Sequence, residues 1–237
     1  MRVLYKHGNA TEHSIKIHCK IKHHPARVVS IPYEWDLITT WNRFCVDAVK
    51  FPTADPHAAL VYGASWMLPP FRDFQALMQA TGFDLSEEYG SLLIAVRNAS
   101  DGLGGSVSLP KATKRRRWVE FLDQSYVVLT PVFYDGEGEG QGTVHSAASI
   151  CVHLDPRIPG IPSVIVNWVL HVFAPYLFHA VERALDSLFH DGSMYRQRMD
   201  APTSVYGTIY RAVDTIMRRS ADPEAMVQDD RSQEYEE

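Results

Sequence analysis

Cysteine is scarce in this chain. Cys19, Cys45 and Cys151 are the three cysteines in 237 residues, widely spaced and without a Cys-x-x-Cys pair. That excludes a disulfide framework and fits a reducing, cytoplasmic setting. A surplus of positive charge is also missing. The 23 Lys and Arg stand against 28 Asp and Glu, for a net charge of −5. A general nucleic-acid binder would be basic overall, so no nucleic-acid partner is expected. The opening MRVLYKHGNATEH is charged early and has no apolar core of a secretory signal. There are eleven histidines, but no His-x-His, no His-Glu-x-x-His and no Gly-x-Ser-x-Gly. The chain therefore offers neither a metal-ligand spacing nor a nucleophile elbow, and no cofactor is expected. Cys45 and Cys151 read as small core residues rather than nucleophiles.

The last absence is local. No Asp, Glu, Lys or Arg occurs from Ile158 to Val181, a length that would suit a membrane span of about twenty residues. The run holds Pro159, Pro162, Pro175, Asn167, His171 and His179, however, and its polar residues avoid one stripe. Val166, Val169, Leu170, Phe173, Leu177, Val181, Ala184, Leu185 and Leu188 recur at the spacing of one helix face. The segment of about 162–190 is expected to be an amphipathic helix lying across a sheet.

The sheet is written upstream. His13–Ile21 alternates Ile15, Ile17, Cys19 and Ile21 against Lys16, His18 and Lys20, a half-buried strand whose Lys and His suit a sheet edge. His7, His13 and His18 are expected at or beside its solvent face. Pro25 to Phe44 predicts one or two short helices broken near Pro32. Further strands are expected at Cys45–Lys50, Ala58–Leu68, Arg72–Asp84 and Ser91–Asn98, through Arg116–Tyr134 as one strand or two, and at Val144–Leu154. A long loop spans Asn98–Lys111. The Gly- and Glu-rich turn Asp135–Gly142 would repel a phosphate and reads as a hairpin turn. A further helix is expected at 204–219 and a disordered, charged tail at 220–237. Strands grouped apart from helices indicate an α+β chain with a curved antiparallel sheet.

Four stretches carry a family resemblance. They are LYKHGNATEHSIKIHCKI (Leu4–Ile21), EWDLITTWNRF (Glu34–Phe44), LPPFRDFQALMQATGFDLSEEYGSLLIAVRN (Leu68–Asn98) and IPGIPSVIVNWVLHVFAPYLFHAVERAL (Ile158–Leu185). Together they resemble the steroidogenic-acute-regulatory-related lipid-transfer (START) family, of the helix-grip, Bet v 1-like superfamily. The resemblance implies one START-like domain over residues 1–219. Its sheet would wrap the closing helix and leave a tunnel for a single lipid or sterol. Tunnel lining is then expected from Val166, Val169, Leu170, Phe173 and Leu177, and from Phe74, Met78, Phe121 and Ile150. Arg72 and Arg97 are candidate headgroup contacts.

Lys114, Arg115, Arg116 and Arg117 form a basic run beside the long loop. It is a candidate for transient docking on an anionic membrane surface, at about 1 kcal/mol per charge near the bilayer. The expectation is a monomeric, non-enzymatic lipid carrier or sensor, cytoplasmic and peripheral at membranes. An enzyme of the same superfamily would need acid–base residues converging in the cavity, and no such set is legible. A ligand-sensing module of a larger protein is the third class.

Overall fold

The computed structural model describes residues 1–8, 11–66, 72–99, 109, 116–134, 143–156, 163–202 and 204–221, without the side chains of 163–170 and 221. Among these residues, ten strands form one curved, unclosed sheet: β1 (Arg2–His7), β2 (His13–Ile21), β3 (Cys45–Phe51), β4 (Ala58–Ser65), β5 (Phe74–Leu85), β6 (Ser91–Asn98), β7 (Arg117–Trp118), β8 (Glu120–Phe121), β9 (Ser125–Tyr134) and β10 (Thr143–Asp155). Their order is β1-β2-β10-β9-β6-β5-β4-β3, all antiparallel. β7 joins the start of β5 in parallel and β8 joins the end of β10. The helices are α1 (Pro25–Tyr33), α2 (Ser86–Tyr89), α3 (Ser163–Ser187), α4 (Met194–Met199) and α5 (Tyr206–Ala221), with a 3-10 helix at Trp35–Thr40.

Local chemistry explains the helix ends. Pro25 occupies the first turn of α1, where its missing N–H is harmless, and the Ala26 N–H donates to His24 Nδ1 at 3.1 Å. Pro32 sits near the end of α1, and the tighter 3-10 turn begins after Glu34. α2 stops at Gly90, whose φ of +59° suits a residue without Cβ. The Ser193 hydroxyl caps α4 by accepting from the Arg196 N–H at 3.2 Å.

Two readings of the N-terminal region need correction. β2 is not an edge: β1 pairs along one side of it and β10 along the other. His13 is 4 % exposed, and its Nδ1 lies 2.8 Å from the Tyr5 hydroxyl. It shares the parity of the Ile residues, so it turns inward, where burial first and His7 second hold its pKa below the ordinary value. Arg116–Tyr134 gives three strands rather than one or two, because the chain turns at Asp123–Gln124, with Gln124 at φ +70°.

The core joins the sheet to residues well beyond the closing helix. Cys19, Ile21, Leu92, Leu129 and Ala148 form one cluster with Ala26 and Val29 of α1, Ala184 and Leu185 of α3, Tyr195 and Met199 of α4, and Tyr206, Ile209, Ala212 and Val213 of α5. Polar groups fasten the same segment. Glu34, its carboxylate 6 % exposed, accepts from Arg198 Nη1 at 2.6 Å and from the Tyr206 hydroxyl at 2.8 Å. Arg198 also donates to both Asp36 oxygens, at 2.8 and 2.7 Å. Lys50 Nζ approaches Glu34 at 3.8 Å and lies 3.3 Å from the centre of the Tyr33 ring. α4 and α5 therefore pack as part of the body. Of the tail expected at 220–237, Ser220 and Ala221 instead end α5, and the rest lies outside the described residues.

Candidate functional site

Strand register arranges the concave face in rows. One row runs Cys19, Ala148, Leu129 and Leu92 across β2, β10, β9 and β6; the next runs Ile17, Ile150, Val127 and Ile94. Since side chains alternate between faces, the two rows share one face, two residues apart. The first row is closed, at 7 %, 5 %, 1 % and 7 % exposure, under α1, the end of α3, α4 and α5. All four residues of the second row are only half-buried, and so are Ile15, Val152 and Val96 one step further along their strands. Apolar surface thus remains uncovered on one half of the face, in strands whose other half is packed shut.

The neighbouring strands close this region on one side. Val61, Ala59, Ala76 and Met78 form a buried cluster, with Trp35, Val96 and Phe121 packed against it. Trp35 Nε1 donates to the Tyr62 carbonyl at 2.8 Å and fixes that wall. Phe173 of α3 meets Phe44 at 5.0 Å between ring centres, and Tyr176 meets it at 5.2 Å. The Arg43 guanidinium lies over Phe44 and Tyr176, at 5.2 and 4.8 Å. These aromatic contacts hold the middle of α3 against the connection into β3.

The expected lining residues separate on this frame. Phe74, Phe121, Ile150, Phe173 and Leu177 are half-buried, and Met78 is enclosed by protein side chains. The side chains of Val166, Val169 and Leu170 lie outside the described ones. Arg97 does not enter the concavity. Its parity partner in β5 is Gln79, to whose Oε1 it donates at 3.0 and 3.3 Å on the exposed convex face. Arg72 is exposed ahead of β5. Arg116 is a correction too. Its side chain is 14 % exposed and bridges Asp47 at 3.1 Å and the Tyr62 hydroxyl at 3.1 Å, so it holds β3 and β4 rather than a bilayer. Arg117 is half-buried in β7, while Lys114, Arg115 and most of the long loop lie outside the described residues.

The half-open rows carry Ile and Val and bring no acid–base pair together. Among the described residues no three His, Cys, Asp or Glu side chains converge as a metal site would require. No described helix is long and apolar enough to cross a membrane. The arrangement can enclose something apolar and hold it by burial, at about 25 cal/mol per Å².

No family model and no curated protein matches the sequence. Solved structures do. Human StAR-related lipid transfer protein 5 superposes with a TM-score of 0.55 at 6% identity, over 79% of this chain and 88% of that one. Human STARD10 gives 0.54 at 12% identity, over 85% of this chain and 83% of that one. The chain has the START fold. A STAR-related lipid transfer protein from Xanthomonas axonopodis also matches, with a TM-score of 0.50 and 13% identity, covering 78% and 99%. Within the START fold the curved sheet and α3 are the shared frame, and sequence identity this low speaks to architecture.

Sequence reasoning missed three features. β1 was too short and mixed to show a period. α4 and its Arg198 lie between the helices expected at about 162–190 and 204–219, where no element was expected. Cys151, His153 and Ser14 also meet on the convex face; the signal was the shared parity of Cys151 and His153 in β10.

Proposed function

We propose that this chain binds one apolar ligand, a lipid or a sterol, between the half-open rows of the sheet and α3, and acts by carrying or sensing it rather than by catalysis. The observation that carries the reading is the contrast between two adjacent rows. Ile17, Ile150, Val127 and Ile94 stay half-buried while Cys19, Ala148, Leu129 and Leu92 are closed. The START fold of proteins named for lipid transfer supports the same reading. Leu177, Phe173 and the N-terminal half of α3 form the roof, and the region of Val166, Val169 and Leu170 completes it. Contact with an anionic membrane runs through Lys114, Arg115 and Arg117, with Arg116 reserved for structure. The working body spans residues 1–221, and the protein acts as a monomer in the cytoplasm.

The test compares added bulk with lost bulk. Ile150→Trp enlarges a half-buried side chain on the proposed ligand side. Overpacking a filled core costs roughly 1–3 kcal/mol, so a loss below about 1 kcal/mol together with loss of bound lipid in native mass spectrometry is expected. Leu185→Ala, at a residue 1 % exposed, is expected to cost about 2–5 kcal/mol. A destabilisation by Ile150→Trp as large as that of Leu185→Ala would show that the rows are packed with protein, and would end the carrier reading.

A further inference from the structure

On the convex face, away from the lipid region, three side chains stand in hydrogen-bond sequence. Cys151 Sγ lies 3.3 Å from His153 Nε2, and His153 Nδ1 lies 2.7 Å from Ser14 Oγ. The backbone fixes the arrangement. Cys151 and His153 are two residues apart in β10 and share a face, and Ser14 is the cross-strand partner of His153 in β2. The three therefore sit on paired strands inside the sheet, not on a loop. With the Nδ1 proton donated to Ser14 Oγ, the Nε2 lone pair faces the thiol, the placement a general base needs.

Cys151 is 8 % exposed and borders a groove rather than open solvent. Cys151 and Ser14, with Leu4, Tyr5, Lys6, Ile15 and Lys16, line an open groove of about 230 Å³ between β1 and β2. Two of these are cations, and Lys16 is the residue directly opposite Cys151 in the ladder. Nearby cations attract anionic reactants. Neither Cys19, itself buried, nor the half-buried Cys45 lines this groove.

The backbone also limits which reaction fits. β10 is paired with β2 and β9 on both sides of Cys151, so the ladder claims the backbone N–H groups around the sulfur. No spare pair of N–H donors stands ready for the oxyanion of an acyl transfer. Displacement at sulfur needs none. We propose that Cys151, with His153 as its base and Ser14 orienting the imidazole, is a site of thiol–disulfide exchange with a small anionic disulfide. His153 Nε2 takes the thiol proton, and the Cys151 thiolate attacks one sulfur of the disulfide. The new S–S bond forms as the old one breaks, and the departing thiolate recovers the proton from the imidazolium. One thiol is consumed and one released, leaving Cys151 as a mixed disulfide in the groove.

The test uses the full chain and oxidised glutathione, with intact-mass and peptide analysis over time. A single adduct on Cys151 is expected before any on Cys19 or Cys45. His153→Gln is expected to slow it by roughly 10²-fold, the usual contribution of a positioned base, while Lys16→Gln slows the anionic reagent more than the neutral 2-hydroxyethyl disulfide. Earlier labelling of Cys19 or Cys45, or an unchanged rate in folded His153→Gln, would overturn the proposal. Should His153→Gln fail to fold, the unsubstituted chain decides. Faster reaction with oxidised glutathione than with the neutral reagent supports the site, and equal or slower reaction refutes it.

Discussion

Replacing Arg198 by Met tests whether α4 and α5 are fastened by charge as well as by packing. Arg198 donates to Glu34 at 2.6 Å and to Asp36 at 2.8 and 2.7 Å. Breaking a buried pair by removing one partner costs about 3–5 kcal/mol when the remaining charge is stranded. Here the two halves differ. Asp36 is 35 % exposed and Arg198 32 %, so that pair is screened and contributes at most about 1 kcal/mol. Glu34 is 6 % exposed but keeps Tyr206 at 2.8 Å and Lys50 at 3.8 Å. The expected loss is therefore about 2–3 kcal/mol, below the full cost of a stranded charge. For a chain of this size that lowers the melting temperature by roughly 4–12 °C. Glu34→Gln in the Arg198→Met background removes the stranded charge and is expected to recover about 1 kcal/mol in a double-mutant cycle. Urea or guanidinium titration of the four proteins measures it. A loss under about 0.5 kcal/mol, the range of ordinary surface changes, or strictly additive single changes, would refute the account and leave packing alone as the fastener.

The same network sets the pH limits. Hydrogen bonds from Arg198 hold the Asp36 carboxyl below its ordinary value; the stability this supplies is present above the unfolded carboxylate value of about 3.9 and disappears as pH falls through the depressed folded value. Acid titration of Arg198→Met should lack this contribution. At the other end, burial pushes Tyr195 up to about 12, and burial with the Glu34 charge pushes Tyr206 higher still. Unfolded tyrosines ionise near about pH 10, so stability should hold below that and decline above it, as denaturation at stepped alkaline pH will show. Gly63→Ala would place a Cβ 2.7 Å from Trp35 Cζ2, on a ring pinned by its bond to Tyr62, and should cost about 1–3 kcal/mol in thermal melts. Lys114→Glu with Arg115→Glu should weaken binding to anionic vesicles in sedimentation with little change in melting. Arg116→Glu should instead lower the melting point, by opposing Asp47 and stranding the Tyr62 contact.

Much of the sheet was legible because burial on one face imposes a period of two. β2 spans the His13–Ile21 alternation, and the bounds of β6 match the strand expected at Ser91–Asn98. α3 was legible for the complementary reason, a stripe bounded by proline and glycine. What escaped was set by partners distant in sequence. β2 carries Lys and His like an edge, yet β1 covers it, and nothing local to β2 records that. Arg97 and Arg116 illustrate the same limit. Parity narrows Arg97 to one of two faces without saying which is concave, and a run of basic residues does not reveal that Asp47 waits for one of them. The half-open rows could not be read at all, since closure of Leu92 and Leu129 depends on α5, more than 70 residues further along in each case.

The fastening of Glu34 by Arg198 and Tyr206 also dictates an order of assembly. These partners are separated by 164 and 172 residues, and β2 must wait for β10 before it has a neighbour on its inner side. During synthesis, Cys19, Ile21 and the face of α1 are made early and stay wet until the last helices arrive. Contacts of such separation fold slowly and leave apolar surface open to wrong partners. A nascent chain halted between β10 and α4 would hold a complete sheet with an unsealed core, and would depend on chaperones until the final helices close it.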